Sequence, residues 1–212
     1  MSSSTPNKRI RKSPAVRRAE IVAVAAEVAL TEGLECVTLR RIAEELAVRP
    51  GLISHYFPAV EELVAEAYGD AAGGELDDLL PADRGGASAS RHLARFLART
   101  RGERFDGISR LWLNARHLSR YRPALRDRVA VQEAAWRDRL GGLIRDGVTA
   151  GEFRTADPDA AAVRILVVLD GLGAHANSDT SAHPPELLLL PAITAERELG
   201  LAPGALTDPA AN

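Results

Sequence analysis

Residues 37–57, VTLRRIAEELAVRPGLISHYF, contain two short helical patterns separated by three residues. Thr38 is placed to cap the first helix, and the apolar side chains of that helix recur on one face: Leu39, Ile42, Ala43 and Leu46. Ala47-Val48-Arg49 forms the break. Pro50 suits the first turn of the second helix, because its missing N–H would have no helical partner there. Two helices of about eight residues joined in this way are typical of a helix-turn-helix.

The second helix of this pair, residues 50–57, has one apolar face that can pack in a core and one face that can contact a partner. If Ile53 and Phe57 face the core, four residues point outward: Gly51, Leu52, Ser54 and His55. In a helix-turn-helix the first helix braces against the DNA backbone, and the second presents its N-terminal residues to the major groove. The pattern therefore indicates DNA as a partner, although similar pairs of short helices occur in many helical proteins.

The rest of the chain is also predicted to be helical. Apolar residues recur with helical spacing between residues 21 and 29, and Gly33 ends that helix. A fourth helix starts near Glu61, whereas Gly73-Gly74 and residues 81–90 are predicted linkers. Later helices are predicted over 88–101, 106–119, 123–150 and 158–176, with a last one that opens at Pro184-Pro185 and breaks at Pro191. No segment alternates like a strand, so the sequence predicts an all-α fold of about nine helices.

Four segments follow from this pattern and from the distribution of charge. Residues 1–16 are predicted to be a disordered basic arm, 17–68 a DNA-binding domain, 69–203 a second, C-terminal helical domain, and 204–212 a disordered tail. Residues 1–60 carry nine Lys and Arg against six Asp and Glu, whereas the remainder carries 18 against 23. This asymmetry favours contact between a polyanion and the N-terminal part alone. A solvated basic tail on a neutral domain is the alternative.

Several function classes are disfavoured by composition and motifs. The apolar runs, such as residues 165–169, are too short to span a bilayer, and the basic N-terminus lacks the apolar run of a signal peptide. We therefore expect a cytoplasmic protein with no membrane partner. Cys36 is the only cysteine, which excludes an internal disulfide. The sequence has no zinc-protease, P-loop or dinucleotide-binding motif, and Asp170 and His175 are poorly spaced for a metal, so we expect no enzyme, cofactor or metal site.

Residues 17–68 closely resemble the DNA-binding domain of the tetracycline-repressor (TetR) family. The matching positions extend through all four predicted helices: Ala25-Ala26, Gly33, Val37-Thr38, Ile42-Ala43, Val48, GLISHYF at 51–57 and Glu61-Glu62-Leu63. Residues 105–175 resemble the betaine-regulator (BetI-like) branch more weakly. The stretches that carry this second resemblance are GLIRDGVTAGEF at 142–153 and LVVLDGLGAHA at 166–176.

The resemblance implies a role for each residue on the DNA-facing side. Thr38 would bond a phosphate, Arg40 would reach a phosphate or a guanine edge, and Tyr56 would touch the backbone. The groove would be lined by Arg49, Pro50, Gly51, Leu52, Ser54 and His55. The plainer alternatives are a core aromatic for Tyr56 and solvated surface residues for Arg49 and His55. The family usually has Lys at the position of Val60, so this departure should weaken backbone contact or shift it to the basic arm.

The C-terminal domain is expected to hold an effector pocket and a dimer interface. The candidate pocket residues are Trp112, His117, Tyr121 and Trp136, whose aromatic faces could hold a cation; the alternative is that both tryptophans are ordinary core residues. The predicted helix over 158–176 is apolar nearly all round and needs cover on two sides. In the TetR family the last two helices pair with their symmetry mates. The resemblance therefore implies an interface that includes Leu166, Leu169 and Leu172.

Together these features predict a ligand-responsive repressor. It would bind a near-palindromic operator as a homodimer and be released by a small-molecule effector. Three alternatives stay open within this interpretation. The protein could be an activator or a ligand-independent repressor. It could also be a ligand-binding or scaffolding dimer that has lost its affinity for DNA, for which Val60 is the hint.

Overall fold

The structure is a computed structural model that describes residues 13–100, 103–178 and 185–207. Within these ranges the chain forms nine α-helices, two short 3₁₀ turns and no strand, which confirms the predicted all-α fold. The helices are α1 (Pro14–Glu32), α2 (Leu39–Glu45), α3 (Pro50–Tyr56), α4 (Val60–Leu79), α5 (Ala89–Arg99), α6 (Glu103–Leu118), α7 (Pro123–Thr149), α8 (Pro158–Ala176) and α9 (Leu190–Glu198). The 3₁₀ turns are Leu34–Cys36 and Pro185–Leu189. None of the described helices is long and apolar enough to cross a membrane.

Local signals in the sequence fix where the helices of the N-terminal domain begin. The Thr38 hydroxyl accepts a hydrogen bond from the Arg41 N–H at 3.1 Å, so Thr38 caps α2 as predicted. Pro50 occupies the first turn of α3, where it removes no helical hydrogen bond. Gly33 ends α1 with φ of 102°, a conformation that a side chain disfavours.

The prediction of a linker at Gly73-Gly74 is wrong, because both glycines lie inside α4. Helix α4 packs against α1 on one side and α7 on the other, and it buries Leu63, Tyr68 and Leu76. Two helical glycines cost about 1 kcal/mol each relative to alanine. Packing on two sides outweighs that local preference, and α4 thereby becomes the helix that joins the N-terminal domain to the rest.

The predicted ends of the ordered chain also need correction. Helix α1 begins at Pro14, so the last residues assigned to the basic arm are helical, while residues 1–12 lie outside the described residues. At the other end, the buried Glu196 carboxylate accepts the N–H groups of Gly204 and Leu206 at 3.1 Å and 2.9 Å. A buried carboxylate needs such donors. The ordered chain therefore continues to residue 207, into the segment predicted as a tail.

The last helix is interrupted at the expected proline. A 3₁₀ turn covers Pro185–Leu189, and α9 then starts at Leu190 with Pro191 in its first turn. Proline inside a helix removes a backbone hydrogen bond and clashes with the preceding turn. The chain therefore restarts the helix at this position, and α9 packs against α8.

Candidate DNA-binding face and effector cavity

Helix α3 is anchored by the side chains of Ile53 and of Phe57, the residue that follows its last turn, and its opposite face is exposed. Ile53 and Phe57 are fully buried, as the outward orientation of their neighbours requires. Of the nine residues implied in DNA binding, seven are exposed and two, Leu52 and Tyr56, are half-buried; the exposed ones are Thr38, Arg40, Arg49, Pro50, Gly51, Ser54 and His55. Eight of them lie on α2, α3 or the turn that joins these helices, and Thr38 is the N-cap that precedes α2; the two helices contact each other.

An arginine of α1 fixes the end of α3 relative to α4. The Arg18 guanidinium lies 4.7 Å from the centroid of the Phe57 ring, and it donates a hydrogen bond to Glu66 of α4 at 2.6 Å. A cation–π contact at a partly exposed site contributes about 0.5–1 kcal/mol. The Arg18 side chain therefore connects α1 to α4 and to the residue that ends α3.

The two neighbouring arginines of α2 have different surroundings. The Arg40 side chain is 85% exposed and forms one exposed ion pair with Glu44 at 2.9 Å. Such a pair contributes about 0.3–0.5 kcal/mol, so DNA can compete for this guanidinium. Arg41 instead pairs with Glu32 and Glu45, which joins α2 to α1. The Arg40 side chain is thus accessible to a partner such as DNA, whereas the Arg41 side chain links two helices of the fold.

The body of the molecule, which comprises α5–α9 and the C-terminal part of α4, contains a small cavity lined by aromatic rings. Its volume is about 60 Å³, and its walls come from α4 to α8. The rings that line it are Phe96, Phe105, Trp112 and Trp136. Trp112 and Trp136 therefore come together as proposed, and both are also buried in the core. His117 and Tyr121 do not line the cavity: their rings pack 6.1 Å apart near the end of α6, and Tyr121 is 75% exposed.

Trp112 is held in place by polar and aromatic contacts. Its indole N–H donates to the Glu75 carboxylate at 2.7 Å, and its ring meets the Tyr68 ring edge-on at 5.4 Å. The Tyr68 hydroxyl is buried without a hydrogen-bond partner in the described part of the chain, and burial raises its pKa. The orientation of Trp112 is therefore set by α4.

Arg116 was not among the predicted site residues, yet it is the central charge of the cavity. Its guanidinium lies 5.2 Å from the centroid of the Trp112 ring and bonds Asp170 at 2.8 Å and Glu133 at 3.1 Å. Burial opposes the charge of the guanidinium, but the bonds to both carboxylates outweigh that cost and raise the pKa of Arg116. One feature of the sequence indicated such an ion pair. Asp170 is a lone acidic residue beyond the first turn of an apolar helix, and its charge needs a partner.

The three leucines predicted for the dimer interface differ in their exposure within this chain. Leu166 and Leu169 line the cavity, Leu169 is 7% exposed, and Leu172 is half-buried against the core. The exposed apolar residues of α8 are instead Val163 and Val167, which lie one turn apart. One position along a helix rotates a side chain by about 100°. Val163 and Val167 are therefore the most exposed large apolar side chains of α8, while Leu166 and Leu172 are half-buried and Leu169 is buried.

Two polar contacts join the body to the DNA-binding domain. Asn114 of α6 accepts the Leu34 N–H at 2.9 Å and donates to the Glu35 carboxylate at 2.9 Å. The Arg122 guanidinium lies 3.3 Å from the Glu61 carboxylate in the first turn of α4. No short-range pattern marked these residues. They connect α6 to the turn between α1 and α2, and the start of α7 to the start of α4.

Solved structures of similar fold come from several regulators. One from Saccharomonospora viridis, in complex with choline, is 22% identical with a TM-score of 0.73, and the match covers 87% of this chain and 98% of that one. A TetR-family regulator from Rhodococcus sp. is 26% identical with a TM-score of 0.65, covering 76% and 87%. A TetR-family regulator from Cytophaga hutchinsonii is 19% identical with a TM-score of 0.74, covering 89% and 98%.

The sequence itself matches two family models. The model described as bacterial regulatory proteins, tetR family, matches residues 21–67, and the model described as BetI-type transcriptional repressor, C-terminal, matches residues 86–190. No curated protein sequence matches the chain. The two matched segments cover more than two thirds of the residues, and they coincide with the α1–α4 head and with the helical body that contains the cavity. The chain therefore belongs to the TetR family of transcriptional regulators and has a BetI-type C-terminal domain.

Proposed function

We propose that this regulator is a repressor that binds a near-palindromic operator as a homodimer and is released by a small-molecule effector. The observation that carries the proposal is the exposed surface of α3, held on the buried side chains of Ile53 and Phe57. A Cβ added at Gly51 would meet no atom within 4 Å, so the first turn of α3 is open to a close partner. These features suit a recognition helix that enters the major groove.

The proposed contacts to DNA divide into two classes. Thr38 and Tyr56 contact phosphates, while Arg49, Pro50, Gly51, Leu52, Ser54 and His55 lie along the groove. Phosphate contacts set position and overall affinity, whereas contacts to base edges set the sequence that is read. Val60, the first residue of α4, has no charge to offer a phosphate. We assign the missing backbone contact to the basic residues before Ser13.

Operator symmetry provides the direct test of this function. Two recognition helices in one dimer reach successive major grooves on one face of the duplex, so the half-sites should be about 34–36 Å apart, or a multiple of that. Footprinting on genomic fragments is expected to show a protected near-palindrome. Protection of a single asymmetric half-site, or no sequence-specific protection, would contradict the proposal.

Arg40→Ala is expected to reduce the preference for the operator over random DNA by about 1–3 kcal/mol, if Arg40 reads a base edge. The measurement is a titration of both DNAs at one salt concentration. Arg137→Ala, which removes an exposed arginine from α7, is the matched control and should leave both affinities close to wild type. Equal losses on operator and random DNA for Arg40→Ala would mean that Arg40 contacts only phosphates.

We further propose that the effector binds at the aromatic cavity and is an organic cation. Two tryptophan rings and the carboxylates of Glu75 and Asp170 are suitable partners for such a ligand. The similar regulator from Saccharomonospora viridis is in complex with choline, a quaternary ammonium ion. An effector that lowers affinity for DNA must itself bind more weakly when operator DNA is present, by the same factor.

The proposed dimer uses the free face of α8. Val163 and Val167 are exposed one turn apart, and Leu190 at the start of α9 is also exposed. The corresponding helices of a second copy would cover these side chains and form a four-helix bundle. We thus place Val163 and Val167, rather than the buried Leu169, at the centre of the interface; Leu166 and Leu172 stay candidate interface residues because they are half-buried.

A further inference from the structure

From the geometry around Arg116 we infer that its guanidinium occupies the place of the effector's cationic group, and that an organic cation binds by displacing it. This inference rests on the proposed function, because it assigns how the ligand of the aromatic cavity is recognised. Arg116 would then be the residue that sets the charge of the effector and that holds the protein in its ligand-free state.

The surroundings of Arg116 already form a binding site for a cation. The guanidinium lies against the face of Trp112 at 5.2 Å and bonds the Asp170 carboxylate at 2.8 Å. An aromatic face attracts a cation through its quadrupole, and a carboxylate supplies the opposite charge. The ligand-free protein satisfies this site with a side chain of its own.

The size of the cavity requires that a side chain moves before a ligand enters. A volume of about 60 Å³ holds about two water molecules, whereas ligand pockets usually enclose about 300–1,000 Å³. Trp112 and Trp136 are buried and packed against other rings. The Arg116 side chain is 32% exposed and unbranched, so it reaches the cavity from the solvent side and can leave it without the movement of a buried ring.

A second carboxylate can hold the Arg116 guanidinium after it leaves the cavity. Glu133 bonds the guanidinium at 3.1 Å but does not line the cavity. Arg116 can therefore keep Glu133 as a partner while it releases Trp112 and Asp170. The Asp170 carboxylate, whose side chain is 47% exposed, then lacks its cationic partner, and a positively charged ligand restores the pair. A neutral ligand of the same shape would leave Asp170 unpaired, so the exchange selects for positive charge.

The position of Arg116 connects this exchange to the DNA-binding domain. Arg116 joins α6 to α7 through Glu133 and to α8 through Asp170. Asn114, two residues earlier on α6, holds the turn between α1 and α2. Release of Asp170 removes the ion pair between α6 and α8, and any movement of α6 that follows carries Asn114 with it. The head is then displaced from the arrangement that fits the operator.

The test uses the full-length protein, with choline and tetramethylammonium as probes and quenching of tryptophan fluorescence as the readout. Arg116→Gln removes the internal cation but keeps hydrogen-bonding capacity, and it is expected to bind both probes about tenfold more tightly than wild type. Arg116→Lys keeps the positive charge and should stay close to wild type. Arg110→Gln, at an exposed arginine of the same helix, is the matched control and should also leave binding unchanged.

Asp170→Asn gives a second measurement that does not depend on the folding of the Arg116 variants. It retains Arg116 but removes the carboxylate, so choline affinity should fall by about tenfold. Unchanged or weaker binding by Arg116→Gln would overturn the inference, as would binding of neutral 3,3-dimethylbutanol as tightly as choline. Absence of binding to both wild type and Arg116→Gln would overturn it too. The operator footprint is independent of these outcomes and separately tests the proposed function.

Discussion

Val167→Asp is expected to convert the dimer into monomers and to lower operator affinity by about 100-fold or more. Val167 is 61% exposed in the middle of α8, on the apolar face that we assign to the partner subunit. A charge buried there without a partner costs several kcal/mol. Each monomer keeps an intact recognition helix but contacts only one half-site, so the affinity gained from joining two heads is lost.

Two further variants separate dissociation from unfolding. Val131→Asp places the same charge at a valine of α7 that is 56% exposed, and it should remain dimeric and bind the operator normally. Leu169→Asp should instead reduce the free energy of unfolding, because Leu169 lies in the core of its own chain. Sedimentation, thermal unfolding and operator titration distinguish the three results. A dimeric Val167→Asp protein would show that this face of α8 is not the interface.

The helix-turn-helix could be predicted because each of its signals is local. Thr38 caps α2 within three residues, Pro50 begins α3 within one turn, and the spacing of Ile53 and Phe57 sets the orientation of α3. None of these features depends on a distant part of the chain. The exposed and buried faces of α3 therefore follow directly from the sequence.

The free face of α8 could not be predicted in the same way. A helix that is apolar nearly all round gives no periodic signal for which side meets the core. Leu166 and Val167 are adjacent and both apolar, so the pattern does not distinguish them. Contacts with neighbouring helices determine that Leu166 lines the cavity while Val167 is exposed. Packing from α6 and α7, which are distant in sequence, makes that choice.

The residues of the aromatic cavity could be predicted only in part. The tryptophans on α6 and α7 could be paired from the sequence, since neighbouring helices in a bundle pack together. Arg116 could not be placed, because its role depends on Glu133 and Asp170 from two other helices. The same limit explains Gly73-Gly74, where local preference predicted a break and long-range packing of α4 maintained the helix.

Gly51→Glu is expected to weaken specific operator binding by about 100-fold, while leaving the fold as stable as before. Gly51 lies in the first turn of α3, where an added side chain meets no atom of the protein within 4 Å. Replacing a helical glycine stabilises the helix by about 0.5–1 kcal/mol, and an acid near a helix N-terminus is favourable. On DNA, the same carboxylate would face phosphates and base edges at close range, where its charge is repelled.

Gly74→Glu is the matched control for this charge. Gly74 is exposed in α4, an added Cβ there also meets nothing within 4 Å, and the variant has the same net charge as Gly51→Glu. Thermal unfolding should show both proteins to be as stable as wild type, while only Gly51→Glu loses the operator in a titration. If both variants bind the operator equally well, the first turn of α3 does not enter the groove. Specific recognition would then have to come from a different surface, because loss of stability could not account for the result.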